Sequence, residues 1–100
     1  MKINFHYIPN GINRQLIERI ESKIINVFSP YDFITSIQIY LNNTTESGIP
    51  ANSIKLEMRL PHENIIARSK KESFEFATKD VVAKTKRQLE KYKSKVYRSS

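Results

Sequence analysis

The chain has 100 residues, 39% of them hydrophobic, and this length suits one small domain with a single core. Two glycines and four prolines exclude collagen-like and low-complexity chains, and zero cysteines exclude disulfides, thiol nucleophiles and cysteine-based metal sites. No apolar run approaches the length of a membrane span and no secretion signal is visible, so we expect a cytoplasmic protein. We expect residues 1–100 to form one domain with a basic C-terminal tail over about residues 94–100.

The charge is uneven along the chain. Seventeen Lys and Arg against ten Asp and Glu give a net charge of +7. Residues 79–98 hold eight of these bases and only two of the acids, so most of the excess lies in this C-terminal segment. Such a segment predicts a polyanionic partner, either a nucleic acid or a membrane surface.

The first half of the chain predicts a strand, a helix and a second strand. Residues 3–7 alternate between apolar and polar side chains, the pattern of a half-buried strand. Asn13 is a predicted N-cap, and apolar residues then recur at helical spacing until the helix ends near residues 29–30. Alternation over residues 36–41 predicts the second strand, and the polar composition of residues 42–52 predicts a loop.

The second half predicts two more strands and a long helix. Residues 54–60 alternate without a fault, residues 60–64 turn the chain, and residues 65–70 give a shorter fourth strand. From about Ser73 to Val96 the chain has no Pro or Gly, and apolar residues recur at helical spacing.

The predicted order β-α-β-β-β-α indicates an α+β fold that resembles a double-stranded-RNA-binding domain. Three consecutive strands favour an antiparallel meander, and the helix between the first two strands favours a parallel pair with a right-handed crossover. Every element has one apolar face, so we predict a four-stranded mixed sheet with both helices on one side. Leu56 and Val81 should both be buried.

Enzymatic function is not supported by the sequence. Gly11 and Gly48 lie in different loops and cannot form a phosphate-cradling loop, while His6 and His62 are too scattered for a metal site. No hydroxyl has an adjacent histidine and acid that could activate it. We therefore predict a binding protein with no catalytic residue, no metal, no cofactor and no small-molecule substrate.

The second predicted helix carries a row of bases on each flank of its apolar stripe. The first row is Lys84, Arg87, Lys91, Lys95 and Arg98, and the second is Lys79, Lys86 and Lys93. A merely solvated helix usually interleaves Glu with Lys, because like charges one turn apart repel. Only Asp80, at the head of the first row, offers a partner, so we interpret these rows as a surface that binds an external anion.

The first predicted helix sorts its charges in a related way. Arg19 and Lys23 share one flank, while Glu18 and Glu21 lie on the other, so the acid-free flank extends the basic surface. Structured RNA fits a rigid face of Lys and Arg, which recognises phosphate positions and shape. Tyr40 is the one strand aromatic placed for base stacking and is interpreted as structural. A membrane would need exposed apolar residues that the core requires.

Residues 83–95 resemble the closing helix of the ribosome hibernation promoting factor and ribosome-associated inhibitor A family, the ribosomal subunit interface proteins. The matching positions are Lys84, Arg87, Gln88, Leu89, Lys91, Lys93 and Lys95. The family's first helix and second strand are matched by Asn13, Leu16, Lys23 and residues 37–41. The chain departs from the family pattern at Thr85, where leucine is usual, and at residues 75–79, which make the helix start more basic.

The resemblance covers essentially the whole chain and implies a translation inhibitor and hibernation factor of the stationary-phase or stress response. Such a protein binds small-subunit rRNA in the decoding channel of the ribosome and blocks mRNA and tRNA. The RNA-binding residues that we predict are Arg19, Lys23, Lys79, Lys84, Lys86, Arg87, Lys91, Lys93 and Lys95. The chain resembles the short type, which has no dimerisation domain, so we expect a monomer when free. The alternative is a general structured-RNA-binding module unrelated to ribosome dormancy.

Overall fold

The computed structural model describes residues 1–96, which form a four-stranded sheet and two helices. The elements are β1 (Lys2–Tyr7), α1 (Arg14–Phe28), β2 (Ser36–Glu46), β3 (Ile49–Arg59), β4 (Asn64–Lys71) and α2 (Phe74–Val96). This confirms the predicted α+β class and the order β-α-β-β-β-α. Residues 94–96 of the predicted basic tail lie within α2, and its remainder, residues 97–100 with Arg98, lies outside the described residues.

The strands lie in the order β1-β2-β3-β4. β1 pairs with β2 in parallel, with Ile3 opposite Ile37, and a register shift follows between Phe5 and Tyr7. The β2–β3 and β3–β4 pairs are antiparallel. The mixed sheet is therefore confirmed: a helical crossover joins the parallel pair and tight turns join the meander.

The predicted loop over residues 42–52 is wrong, because this segment forms the outer half of a long β2–β3 hairpin. Pairing continues to Glu46 opposite Ile49, and Ser47 and Gly48 close the turn with φ of 53° and 79°. Positive φ at both central residues is typical of the two-residue turns that connect antiparallel strands, because the twist of such a turn matches the right-handed twist of the two strands. Side chains of residues 42–50 are exposed on both faces of this hairpin, so the apolar alternation that reveals a half-buried strand is missing.

One hydrophobic core joins both helices to one face of the sheet. α1 contributes Ile20, Ile24 and Phe28, and the central strands contribute apolar side chains from every second position. Leu56 and Val81 are both fully buried, as predicted. The shared core confirms that both helices pack on the same side, and it leaves the opposite sheet face polar.

Local hydrogen bonds explain where α1 begins and why a buried threonine is tolerated in α2. Asn13 Oδ1 accepts a 2.8 Å bond from the Leu16 amide, which confirms the predicted N-cap. Thr85 is fully buried, and its hydroxyl donates a 2.7 Å bond to the Val81 carbonyl. The departure from leucine at this position is therefore compatible with the core, because the buried polar group has a partner.

Candidate nucleic-acid interface

A groove between α1 and α2 brings three of the predicted RNA-binding residues together. Arg19 and Lys23 lie on the α1 side and Lys79 on the α2 side of a hollow of about 180 Å³. Arg19 Nη1 is 3.1 Å from Glu75 Oε1, but both side chains are about two-thirds exposed (64% and 67%). A pair this exposed contributes little to stability, so an incoming phosphate can compete for Arg19. We call this hollow the inter-helix groove.

The basic side of the inter-helix groove continues along α2. Lys86 and Lys93 follow Lys79 at intervals of seven residues, which keeps all three on one flank over about 21 Å of helix. Lys86 is exposed, while Lys93 Nζ lies 5.5 Å from the centre of the Tyr31 ring and 3.9 Å from Glu90 Oε2. We call Lys79, Lys86 and Lys93 the groove row.

Tyr31 and Glu90 lie at the far end of the groove row. The Tyr31 hydroxyl donates a 3.1 Å hydrogen bond to Glu90 Oε1. Burial of the ring, together with this bond and the charge of Glu90, raises the pKa of Tyr31. The phenol is therefore a neutral donor that holds Glu90 beside Lys93, and this end of the groove is less positive than the end at Lys79.

The opposite flank of α2 faces β4, the edge strand of the sheet. Lys84 Nζ donates a 3.0 Å hydrogen bond to the Arg68 carbonyl, and Gln88 Nε2 donates a 3.3 Å bond to the Ile66 carbonyl. Unpaired carbonyls on an edge strand are a template for pairing with another chain. These two side chains cover part of that edge, so Lys84 has a structural role within the fold.

Lys84, Arg87, Lys91 and Lys95, which we call the edge row, divide into partnered and free cations. Lys84 Nζ is 3.1 Å from Asp80 Oδ2, and Lys95 Nζ is 3.4 Å from Glu63 Oε1 in the β3–β4 turn. Arg87 and Lys91 are exposed and have no carboxylate within ion-pair distance among residues 1–96. Asp80 lies one turn before Lys84 on the same helix, whereas Glu63 is brought to Lys95 by the tertiary fold.

Asp80 connects α2 to β4. The Ser69 hydroxyl donates a 2.6 Å hydrogen bond to Asp80 Oδ2, the same atom that contacts Lys84. The bond from Ser69 first, and then the bond from Lys84, hold the pKa of Asp80 below its usual range. A lowered pKa in the folded protein stabilises it above the unfolded-state value of about 3.9, and this contribution is lost as the pH falls through the folded-state value.

We predict that the free energy of unfolding falls on acidification below about pH 5, and that Asp80→Asn flattens part of this fall. Urea titrations at a series of pH values measure it. Asp32→Asn, at an exposed aspartate that has no ion pair within residues 1–96, is the matched control. The expectation fails if the Asp80→Asn and Asp32→Asn proteins lose stability along the same pH curve.

The acidic flank of α1 lies away from the groove. Glu21 lines a hollow with Met1, Lys2 and Ile3 beside β1, and Glu18 is exposed. The charges of α1 are therefore sorted as predicted, with Arg19 and Lys23 toward α2.

The polar face of the sheet carries an aromatic pair that the sequence pattern does not predict. Tyr40 is not a lone strand aromatic, because the His6 ring stacks on it with centroids 4.9 Å apart and planes 16° from parallel. The alternation of β1 places His6 on the polar face, and the expected parallel pairing of β1 with β2 could have indicated this neighbour. Within residues 1–96, no three metal-ligating side chains converge and no helix is long and apolar enough to cross a membrane.

Two solved structures share this fold. A ribosomal subunit interface protein from Coxiella burnetii superposes with a TM-score of 0.79 at 22% identity, covering 94% of this chain and 99% of its own. The N-terminal domain of Thermus thermophilus Protein Y superposes with a TM-score of 0.67 at 13% identity, covering 91% and 94%. No curated protein sequence matches significantly.

The family comparison covers nearly the whole chain. Residues 3–97 match the family described as sigma 54 modulation protein / S30EA ribosomal protein. This family is non-enzymatic, in agreement with the prediction of a binding protein, and it is the family that the sequence resemblance indicated. With a match of this extent, the chain belongs to the sigma 54 modulation protein / S30EA ribosomal protein family.

Proposed function

We propose that the protein is a ribosome-associated translation inhibitor that acts in ribosome hibernation. It binds small-subunit rRNA in the decoding channel and there excludes mRNA and tRNA. The chain belongs to the family described as sigma 54 modulation protein / S30EA ribosomal protein, and this membership supports association with the ribosome. The observation that carries the proposal is the inter-helix groove, in which cations from two helices converge.

The groove suits the phosphates of folded RNA. Arg19, Lys23 and Lys79 surround one hollow, and the groove row extends the positive side along α2. Cations that project from two packed helices recognise the spacing of phosphates in a folded RNA, since the packing sets the distance between the helices before binding. Their contact with phosphates releases condensed counterions, so the affinity should fall steeply with salt. Inhibition then follows from occupancy of the channel and needs no chemical step.

We further propose that the free protein is a monomer in the cytoplasm. The net charge of +7 opposes self-association at moderate salt. Lys84 and Gln88 also cover part of the β4 edge, one of the two strands at which another copy could add to the sheet.

Sedimentation through sucrose gradients tests the proposed function. The purified protein is mixed with purified small subunits, whole ribosomes or an equal mass of an unrelated folded RNA, at one fixed salt concentration. We expect the protein to comigrate with small subunits and whole ribosomes, and to reduce translation of a reporter mRNA in vitro. Equal binding to the unrelated RNA without inhibition of translation would support a general RNA-binding module and contradict the proposal.

A further inference from the structure

The polar face of the sheet carries a row of side chains unlike the rest of that face. His6 stacks on Tyr40, and Lys55 Nζ lies 4.5 Å from the centre of the Tyr40 ring. Arg68 is directly opposite Lys55 on the neighbouring strand. The row therefore crosses all four strands, a distance of about 14 Å at the usual strand spacing. It lies on the side of the sheet opposite to the helices.

A buried hydrogen-bond network orients the aromatic end of this row. Gln38 is only 3% exposed although it belongs to the polar face. Its Oε1 accepts hydrogen bonds from His6 Nε2 and Asn4 Nδ2, and its Nε2 donates a 3.0 Å bond to Ser36 Oγ. The His6 ring is thereby held against Tyr40 before any ligand binds, which reduces the entropy lost on binding.

A cleft of about 280 Å³ lies at the cationic end of the row. Tyr40, Lys55 and Arg68 line it together with the polar side chains of Asn42 and Ser53, and no acidic residue does so. Its two cations have no carboxylate within ion-pair distance among residues 1–96. The cleft is therefore a positive hollow beside an aromatic pair.

Two other cations of the same face are neutralised. Arg59 Nη2 lies 3.7 Å from Glu57 Oε1, and Lys70 Nζ lies 2.8 Å from Glu46 Oε1. Of the cations that β3 and β4 place on this face, only Lys55 and Arg68 have no ion pair within residues 1–96, and both line the cleft.

We propose that this row is a second RNA site, which binds a single-stranded segment. A phosphate occupies the cleft between Lys55 and Arg68, and a neighbouring base stacks on the His6–Tyr40 pair. Aromatic rings beside cations are the usual means of binding unpaired nucleotides, because every base has a stacking face. The helix groove lacks such an exposed ring pair among its lining residues. The protein then holds RNA on two opposite sides, and this inference does not require the proposed function to be correct.

Binding of a fluorescent, unstructured uridine oligomer of about ten nucleotides to the whole protein, followed by anisotropy, tests the site. Lys55→Gln with Arg68→Gln should weaken binding by about tenfold and lower the slope of log affinity against log salt by about 0.7, the contribution of one phosphate contact on a single strand. The matched control, Arg59→Gln with Lys70→Gln, removes the same charge from the same face and should stay within about twofold.

The aromatic end is tested separately. Tyr40→Leu should weaken binding of the oligomer by about tenfold, the value of one stacked base, whereas Phe76→Leu removes an exposed aromatic of α2 and should have little effect. Both variants are first checked for the circular dichroism spectrum and unfolding midpoint of the parent. The proposal is overturned if the two double variants weaken binding equally, or if Tyr40→Leu binds like the parent. The proposed ribosome function fails on a different result, namely that the unmodified protein does not comigrate with small subunits.

Discussion

Replacing Lys79 and Lys86 with glutamate should weaken binding to small ribosomal subunits by at least about a hundredfold, because like charges held against RNA phosphates cost several kcal/mol. The same variant should lower the slope of log affinity against log salt by about 2, since each of two phosphate contacts on a duplex contributes about 0.9. It should also relieve the inhibition of translation. Folding should change little, because both side chains are exposed and Lys79 has no ion pair within residues 1–96.

Two further charge variants on the helices serve as a control and as a second test of the interface. Glu18→Lys with Glu21→Lys changes the far flank of α1 and should not weaken binding. Arg87→Glu with Lys91→Glu alters the free members of the edge row, and we expect it to weaken binding as well. The proposed interface is contradicted if the Lys79→Glu, Lys86→Glu protein folds normally yet binds and inhibits ribosomes like its parent.

Phe28→Ala should lower the free energy of unfolding by about 3–5 kcal/mol, the usual cost of truncating a buried aromatic. Phe28 has no exposed surface and ends α1 within the core, where its ring lies 6.3 Å from that of Tyr31. A loss of this size is a large share of the 5–15 kcal/mol that stabilises a typical domain. Urea titration followed by circular dichroism measures it.

Ile25→Ala is the matched control for the core variant. Ile25 belongs to the same helix but is 40% exposed, so its truncation removes less buried surface and should cost about 1 kcal/mol or less. Equal losses for the two variants would contradict the assignment of Phe28 to the core.

The sequence predicts the elements that have one buried face and misses those that do not. Alternation over residues 54–60 and helical spacing in α2 reflect burial against the shared core, so both patterns give the correct element. Residues 42–52 pair just as regularly, but both faces of most of this segment are exposed to water. The fold therefore requires no alternation of apolar and polar residues there. Strand pairing without burial leaves little trace in composition beyond the turn residues.

The candidate site was only partly predictable, for a reason that lies in tertiary packing. Helical spacing sorts the bases of α2 into two rows, which the structure places on opposite flanks. It does not determine that one flank faces α1 while the other lies over β4, where Lys84 meets a carbonyl and Lys95 meets Glu63. The partners of these two lysines are 16 and 32 residues away in sequence. The contact of His6 with Tyr40 is similarly remote and depends on the β1–β2 register.

The outer half of the β2–β3 hairpin extends the molecule without contributing to its hydrophobic core. The protein measures 52 Å along its longest axis and only 19 Å along its shortest. Between Leu41 and Ala51 the hairpin has no buried side chain, so its turn of Ser47 and Gly48 and its backbone pairing alone maintain the register. Removing or adding two residues in each strand keeps the same kind of hydrogen-bonded pair next to the turn, and it therefore alters this arm by about 6.8 Å without changing any core contact. The span between the ends of the domain can thus be adjusted in steps of two residue pairs while the side chains of both proposed RNA-binding surfaces stay in place.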